Sequence, residues 1–467
     1  MAENLQILEQ NFNFGEGLDV AVNPFANKPG SCREALNCDF STEFGTLKKR
    51  LGYLQHGDTL AATIRGIYDF KDTAGTLKKW LAVSSGKIYS DESEVWTERA
   101  TGLTATAEAY FASHLDKCIM VNGVEAPQKS TDGITWAALG GSPPTAKYVV
   151  AYDNSVYLAN LTTNKGRIQW SDNGTTETWT GTNIQDIATN IGVGQAITGL
   201  GVSSGALVIP KTRSFWKWDT NDLIALSTSK GCIAPRSFIC FEDWALMMGH
   251  NGINASIGGR PLIEISKPIK YWIDGMADKS ICVAGIDEEN MIAYFYLGDT
   301  RGIVKALAIY DLDKNNWDIK PISSVPNVMA FMTTSGNVGN LYFGNTAYKT
   351  LKLNSGQTDE GNASSFKWTS PPLLGGAAHL MKDWVYWHVF MSRASKQGVD
   401  VLYSLDFGQW QALGTAKDPV TTLVFPKNTK CHSLRVQYAQ KGSTEQLDIY
   451  GHIGEGSYVP NPLRSIK

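Results

Sequence analysis

No apolar stretch in the chain approaches the roughly 18 to 20 residues that a membrane-spanning helix needs. No segment sustains a 3.6-residue apolar period beyond a few turns, so helix content should be low. A basic excess is missing too: 42 Lys and Arg stand against 45 Asp and Glu, a formal net charge of -3. That balance lacks the electrostatic footprint of a protein that grips phosphates. The opening Met-Ala-Glu-Asn-Leu-Gln has no basic-then-apolar leader pattern, which sets the expectation of synthesis in a cytoplasm. The seven cysteines (Cys32, Cys38, Cys118, Cys232, Cys240, Cys282, Cys431) are odd in number and never spaced C-x-x-C. In a reducing compartment they read as small buried hydrophobes rather than disulfides or zinc ligands.

Motifs of known chemistry are equally sparse. There is no H-E-x-x-H, no G-x-S-x-G elbow and no Walker loop. Gly192-Val-Gly194, with Gly199 and Gly201, leads into a strand and so lacks the helix N-terminus that binds phosphate. Asp287-Glu288-Glu289 and Glu242-Asp243 sit at expected turns, where solvated charge is the default. His388 lies on a strand between aromatic neighbours and reads as a packed side chain. No residue is assigned a catalytic, cofactor-binding or metal-ligating role, and the expectation is a protein that is not an enzyme and holds no cofactor.

What the chain does have is 45 Gly and, among aromatics, 14 Trp, 18 Tyr and 17 Phe, the composition of turns and pleated surfaces. A strand pair around a turn returns roughly every 40 to 50 residues, the size of a propeller blade repeat. Its seven copies begin at Leu81, Ile119, Val150, Leu200, Trp244, Met291 and Leu341. The fold class is therefore all-β, a six- or seven-bladed β-propeller with an N-terminal arm and a C-terminal β-sandwich. Boundaries are placed at 1–60 for the arm, 61–365 for the propeller and 366–467 for the sandwich. Five alternating strands mark the last region: 384–390, 399–403, 421–425, 432–438 and 447–450.

A second recurring element is a polar Asp/Gly turn closing on Trp, at 90–96, 130–136, 171–179, 311–317 and 404–410. It looks like the Asp-box of sialidase propellers. There such turns are structural; a sialidase also needs three arginines on the substrate carboxylate and a Tyr–Glu nucleophile pair, and no N-terminal Arg-Ile-Pro-type segment is visible here.

The arm carries a more informative resemblance. Ala35-Leu-Asn37-Cys-Asp39-Phe, then Gly45-Thr-Leu47, then Arg50-Leu-Gly52-Tyr53 resembles the opening of the tail hub, or nozzle, proteins of short-tailed bacteriophages. In the middle, Gly199 to Ile209, Phe215-Trp-Lys-Trp218, Lys230-Gly231 and Gly249-His-Asn-Gly252 follow that family's order. The resemblance implies a virion tail protein, a homo-hexameric ring below the portal and adaptor rings that extends and closes the DNA exit channel. It also implies contact with fibre or needle proteins, and passage of DNA without specific binding. The extra domains of the longest nozzle proteins are missing here. Asn37, Asp39, Lys48, Lys49 and Arg50 are the candidate subunit or adaptor contacts; for the Lys48-Lys49-Arg50 run, a solvated strand end is the competing reading. The rival functions are a baseplate or fibre-anchoring protein, and a glycan-binding or sialidase-like propeller.

Overall fold

Each of the seven recurring segments supplies the second strand of a different four-stranded unit. Those second strands are flanked by a strand on either edge and by neighbouring sheets on both faces, so their centres are apolar and buried. Ser155–Leu161 is buried at every position, and Ala206–Pro210 likewise. The computed structural model describes residues 5–40, 45–187, 195–219, 222–334, 336, 338–376 and 378–459.

Six of the units are self-contained sheets of four consecutive strands. Their innermost strands are Ile64–Lys71, Tyr110–His114, Ala146–Tyr152, Gly201–Ser203, Ile239–Phe241 and Val283–Asp287. A seventh unit takes Pro326–Thr333, Gly339–Asn345 and Thr350–Leu353 from the end of the repeat. Its fourth strand is Tyr53–His56, drawn from the N-terminal region and paired antiparallel with Thr350–Leu353. Pro326–Thr333 packs against both Val283–Asp287 and Ile64–Lys71 and so closes the circle. The fold is a β-propeller whose last blade is completed by the beginning of the chain. We number the units blades 1 to 7 in chain order of their inner strands.

The arm expected over 1–60 is divided between two bodies. Tyr53–His56 belongs to blade 7, whereas Gln6–Asn11, Glu34–Leu36, Cys38–Asp39 and Leu47–Lys49 are built into the C-terminal sandwich. One sandwich sheet centres on Lys382–Met391 and Asp448–Tyr458, with Val420–Val424 at its edge. The other centres on Asn362–Thr369, Leu434–Ser443 and Val399–Leu405, and runs on through Thr358–Asp359 into blade 7.

Between the sandwich sheets lies an aromatic core. Trp387 donates its indole N–H to the Tyr438 hydroxyl at 3.1 Å, and Tyr403 meets Phe425 edge-on at 5.2 Å. His452 sits among these rings, 4.6 Å from Trp387 and 5.7 Å from Phe14, with both ring nitrogens buried and unpartnered. Burial alone pulls its pKa from the ordinary 6.5 down to about 3. Gly454, two residues on, lets both Trp384 and Trp387 pass where a Cβ would come within 2.7 Å of them.

The depressed His452 pKa fixes a pH window. Below about pH 6.5 the unfolded chain takes up a proton that the folded chain refuses, so stability is complete above that value and falls as pH drops toward 3. The loss is about 1.4 kcal/mol per pH unit. Glu9, raised by burial to about 7, acts in the opposite sense between its ordinary 4.5 and 7. The informative quantity is therefore the difference from His452→Phe in urea midpoint at pH 7 and at pH 4.5. The native chain should lose more stability than the variant over that interval; equal losses would mean the histidine is not held neutral.

Candidate functional site

The motif residues of the arm meet at one seam. Arg50 is buried and makes a two-pronged ion pair with Asp359, at 2.7 and 2.6 Å. Its Nε donates to the Asn37 side-chain carbonyl at 2.7 Å, and its remaining donors reach the carbonyls of Leu51 and Pro321. Asn37, also buried, donates onward to the carbonyl of Ser365. Two residues beyond Arg50, a Cβ on Gly52 would lie 1.9 Å from the Thr358 carbonyl oxygen, so only glycine admits that approach. One guanidinium thus ties together the arm, blade 6, the end of blade 7 and the sandwich.

This placement corrects the expected role of the charged run. Lys49 is 1% exposed, donates to the carbonyl of Ser443, and has its pKa lowered to about 8 by burial and then by Arg50. Asn37, Lys49 and Arg50 are interior groups, neither a solvated strand end nor a surface for a neighbour. Alternation explains the error: in Leu47–Lys49, Lys49 shares the face of fully buried Leu47, while Lys48 takes the other. Lys48 is half-buried, opposite Asp39 on one side and Asp448 on the other.

The propeller axis is filled from the side of blades 1, 2 and 5. Arg236 donates to the Arg65 carbonyl, lies 4.6 Å above the Tyr110 ring and faces Glu108 at 3.6 Å. Burial pushes Glu108 up, but Arg236 and Lys147 outweigh it and hold the carboxyl below its usual value. Tyr68 and Phe111 stack at 5.4 Å. What remains is a cavity of about 190 Å³, lined by residues of five inner strands or their approaches.

A larger cavity of about 510 Å³ lies where blade 6, blade 7 and the arm converge. Its wall carries six carboxylates (Asp39, Asp287, Glu289, Asp311, Asp313, Asp318) against Lys314 and Lys320. Asp318 is buried, and its Oδ2 has no hydrogen-bond partner. Burial raises its pKa and lowers that of Lys320. A third cleft, about 380 Å³ on blades 3 and 4, is lined by Tyr157, Trp170 and Trp218 with Asp153, Asp172 and Asn183. No group of three or more His, Cys, Asp or Glu among the described residues is arranged to hold a metal ion.

Other readings of single residues can now be placed. The Asp/Gly/Trp turns at 90–96, 130–136, 171–179 and 311–317 join the third and fourth strands of blades 1, 2, 3 and 6. Ser130 Oγ donates to Asp132 and accepts from Gly133 N–H, and Asp132 caps two further N–H groups, so the turn is held by its own side chains. Glu242 and Asp243 are exposed at a turn, as expected, but Asp287 is buried and binds Asn290 instead of water. His388 is half-buried and shares a hydrogen bond with Thr422. Gly192–Gly194 lies outside the described residues. Sequence reasoning missed the acidic cavity because its carboxylates come from the arm and from two separate hairpins of blade 6. The available signal was Asp318-Ile-Lys320, charges alternating with an apolar residue in a strand flanked by buried ones.

No protein-family model and no curated protein sequence matches the chain. Among solved structures, YCF48 bound to D1 peptide aligns at 13% identity and a TM-score of 0.41, over 66% of this chain and 96% of that one. YCF48 from Cyanidioschyzon merolae aligns at 14% and 0.42, over 65% and 98%. The computationally designed Ika8 protein aligns at 12% and 0.41, over 75% and 98%. These likenesses are of fold alone.

The seam makes a measurable demand. Arg50→Met leaves Asp359 buried without its countercharge, and the expected cost is about 3–5 kcal/mol. Adding Asp359→Leu should restore most of it, since a packed apolar pair replaces a buried ionic one. Urea unfolding followed by Trp fluorescence reads both; a loss below about 1 kcal/mol in the single variant would place the pair among ordinary surface bridges.

Proposed function

We propose that the chain is a structural subunit of a bacteriophage tail, six copies of which form a hub or nozzle ring below the portal and adaptor. The observation that carries this reading is the arm motif. Its residues from Ala35 to Tyr53, the ones resembling the nozzle family, are those that lock arm, propeller and sandwich into one body. The resemblance therefore rests on residues that define the architecture.

Three further observations support it. With Arg236, Tyr110 and Phe111 across the propeller axis, a subunit is a solid wall element, and DNA would pass at the centre of the ring. Strand Val420–Val424 forms an open sheet edge on which Val420 and Val424 are 59% and 61% exposed. An open apolar edge is a liability in a free monomer and a ready contact in a closed ring. The net charge of -3 suits a channel that must not retain DNA. A glycan-binding propeller remains the second reading, favoured by the aromatic and amide lining of the cleft on blades 3 and 4.

Gold-labelled antibody on intact particles tests the first reading. Label on the tail axis just below the capsid vertex, with six copies per particle, is the expected result. Peripheral label would move the protein to a fibre or baseplate position. No label on intact or opened particles, together with glycan-array binding by the purified chain, would replace the reading with the second.

A further inference from the structure

We propose that the acidic cavity between blade 6, blade 7 and the arm binds a linear organic diamine, an alkyl chain with an ammonium at each end. The argument starts at the inner end, with Asp318. This residue is 6% exposed; its Oδ1 accepts the Ile319 N–H at 2.7 Å, and its Oδ2 accepts nothing. A buried carboxylate oxygen without a donor is costly, and such groups call for a partner.

The neighbouring cations do not supply one. Lys320 makes no ion pair with Asp318 within 4 Å; its amine lies 5.6 Å from the centre of the Tyr294 ring. Lys314 is engaged by Asp311 at 3.2 Å. Asp287 and Asp311 spend their oxygens mainly on nearby N–H groups of Asn290, Asp313 and Lys314. The inner end is thus a carboxylate oxygen without a hydrogen-bond donor, attracted at longer range by the Lys320 ammonium on the same wall.

The rest of the cavity selects the ligand class. Ile292, Ile309, Leu341 and Leu353 give apolar wall between the charges, which suits methylenes. At the mouth, Glu289 and Asp313 are exposed and can meet a second, hydrated ammonium, although one Glu289 oxygen already accepts the Gly339 N–H at 2.6 Å. The volume of about 510 Å³ lies within the range of small-molecule sites, roughly 300–1,000 Å³. The carboxylates are spread along the depth of the cavity, and no three of them are gathered as a metal shell among the described residues. An elongated cation with separated charges fits that distribution better than a point charge. The inference does not depend on the tail-hub reading.

The test is calorimetric titration of the full chain at low salt with three probes: 1,4-diaminobutane, butylamine and 1,4-butanediol. Saturable 1:1 binding of the diamine is expected, with butylamine at least about tenfold weaker and no binding of the diol; tenfold is 1.4 kcal/mol. Asp318→Asn should weaken the diamine by at least about tenfold in a chain that still unfolds cooperatively, because the amide cannot carry the negative charge that would meet the inner ammonium. No saturable heat with the diamine, or equal affinity for butylamine, would overturn the proposal. So would unchanged diamine affinity in a folded Asp318→Asn chain. The three-probe comparison decides the matter on the native chain even where the variant fails to fold.

Discussion

The buried pairing of Arg50 with Asp359 is the contact on which the arrangement of the two bodies depends. Both charges are nearly withdrawn from water, with side-chain exposures of 5% and 10%. A lone buried guanidinium would be untenable, and a single carboxylate would leave several of its five N–H donors idle. The structure fills them with Asn37, Leu51 and Pro321 as well as Asp359. Those acceptors belong to segments more than 300 residues apart at the extremes. The ion pair therefore acts less as a source of stability than as a register mark, since no other alignment of arm and sheet supplies all of these acceptors together.

From this mark the closure of the propeller follows. Gly52 must pass against the Thr358 carbonyl, and the next residues, Tyr53–His56, then run directly into the edge of blade 7. Tyr53 is paired on one side with Leu353 and bridged on the other by Asp359, so the closing strand is also the first strand leading into the sandwich. Blade 7 takes its fourth strand from the arm, and the second sandwich sheet continues from that strand. Loss of the latch would reach both bodies, in contrast to a core truncation in blade 3, whose four strands are consecutive and close on themselves.

How much of this was legible depends on how far apart the partners lie. The seven Gly-turn segments locate the second strand of every blade because those strands have apolar centres and are locally punctuated. The Asp/Gly/Trp turns are equally local, since Ser130, Asp132 and Gly133 satisfy one another within four residues. The five alternating strands of the last region all appear; Asn362–Thr369 and Gln411–Ala416 join them. What the residues alone hid was non-local: that Lys49 and Arg50 face inward, that the arm splits between two sheets, and that carboxylates of the arm and blade 6 share one cavity. A charge run in a short strand reads as solvated until the sheet that covers its second face is known.

The same contrast bears on the channel. Propellers often leave an axial passage. Here the inner strands carry Tyr68, Tyr110 and Phe111, and Arg236 enters with Glu108 as its countercharge. A cation stacked on one ring and paired with a partly buried carboxylate is held in place from two sides, and withdrawing it would strand Glu108 beside Lys147 alone. The axis keeps only a cavity of about 190 Å³, so on the tail-hub reading proposed above a path for a polymer as wide as a DNA duplex would be built from the outer surfaces of several copies. That reading puts the functional weight on the propeller's rims and on the open edge at Val420–Val424 rather than on its centre. On those surfaces the proposed ring would have to close and leave room for DNA at once, so both demands fall on the same geometry.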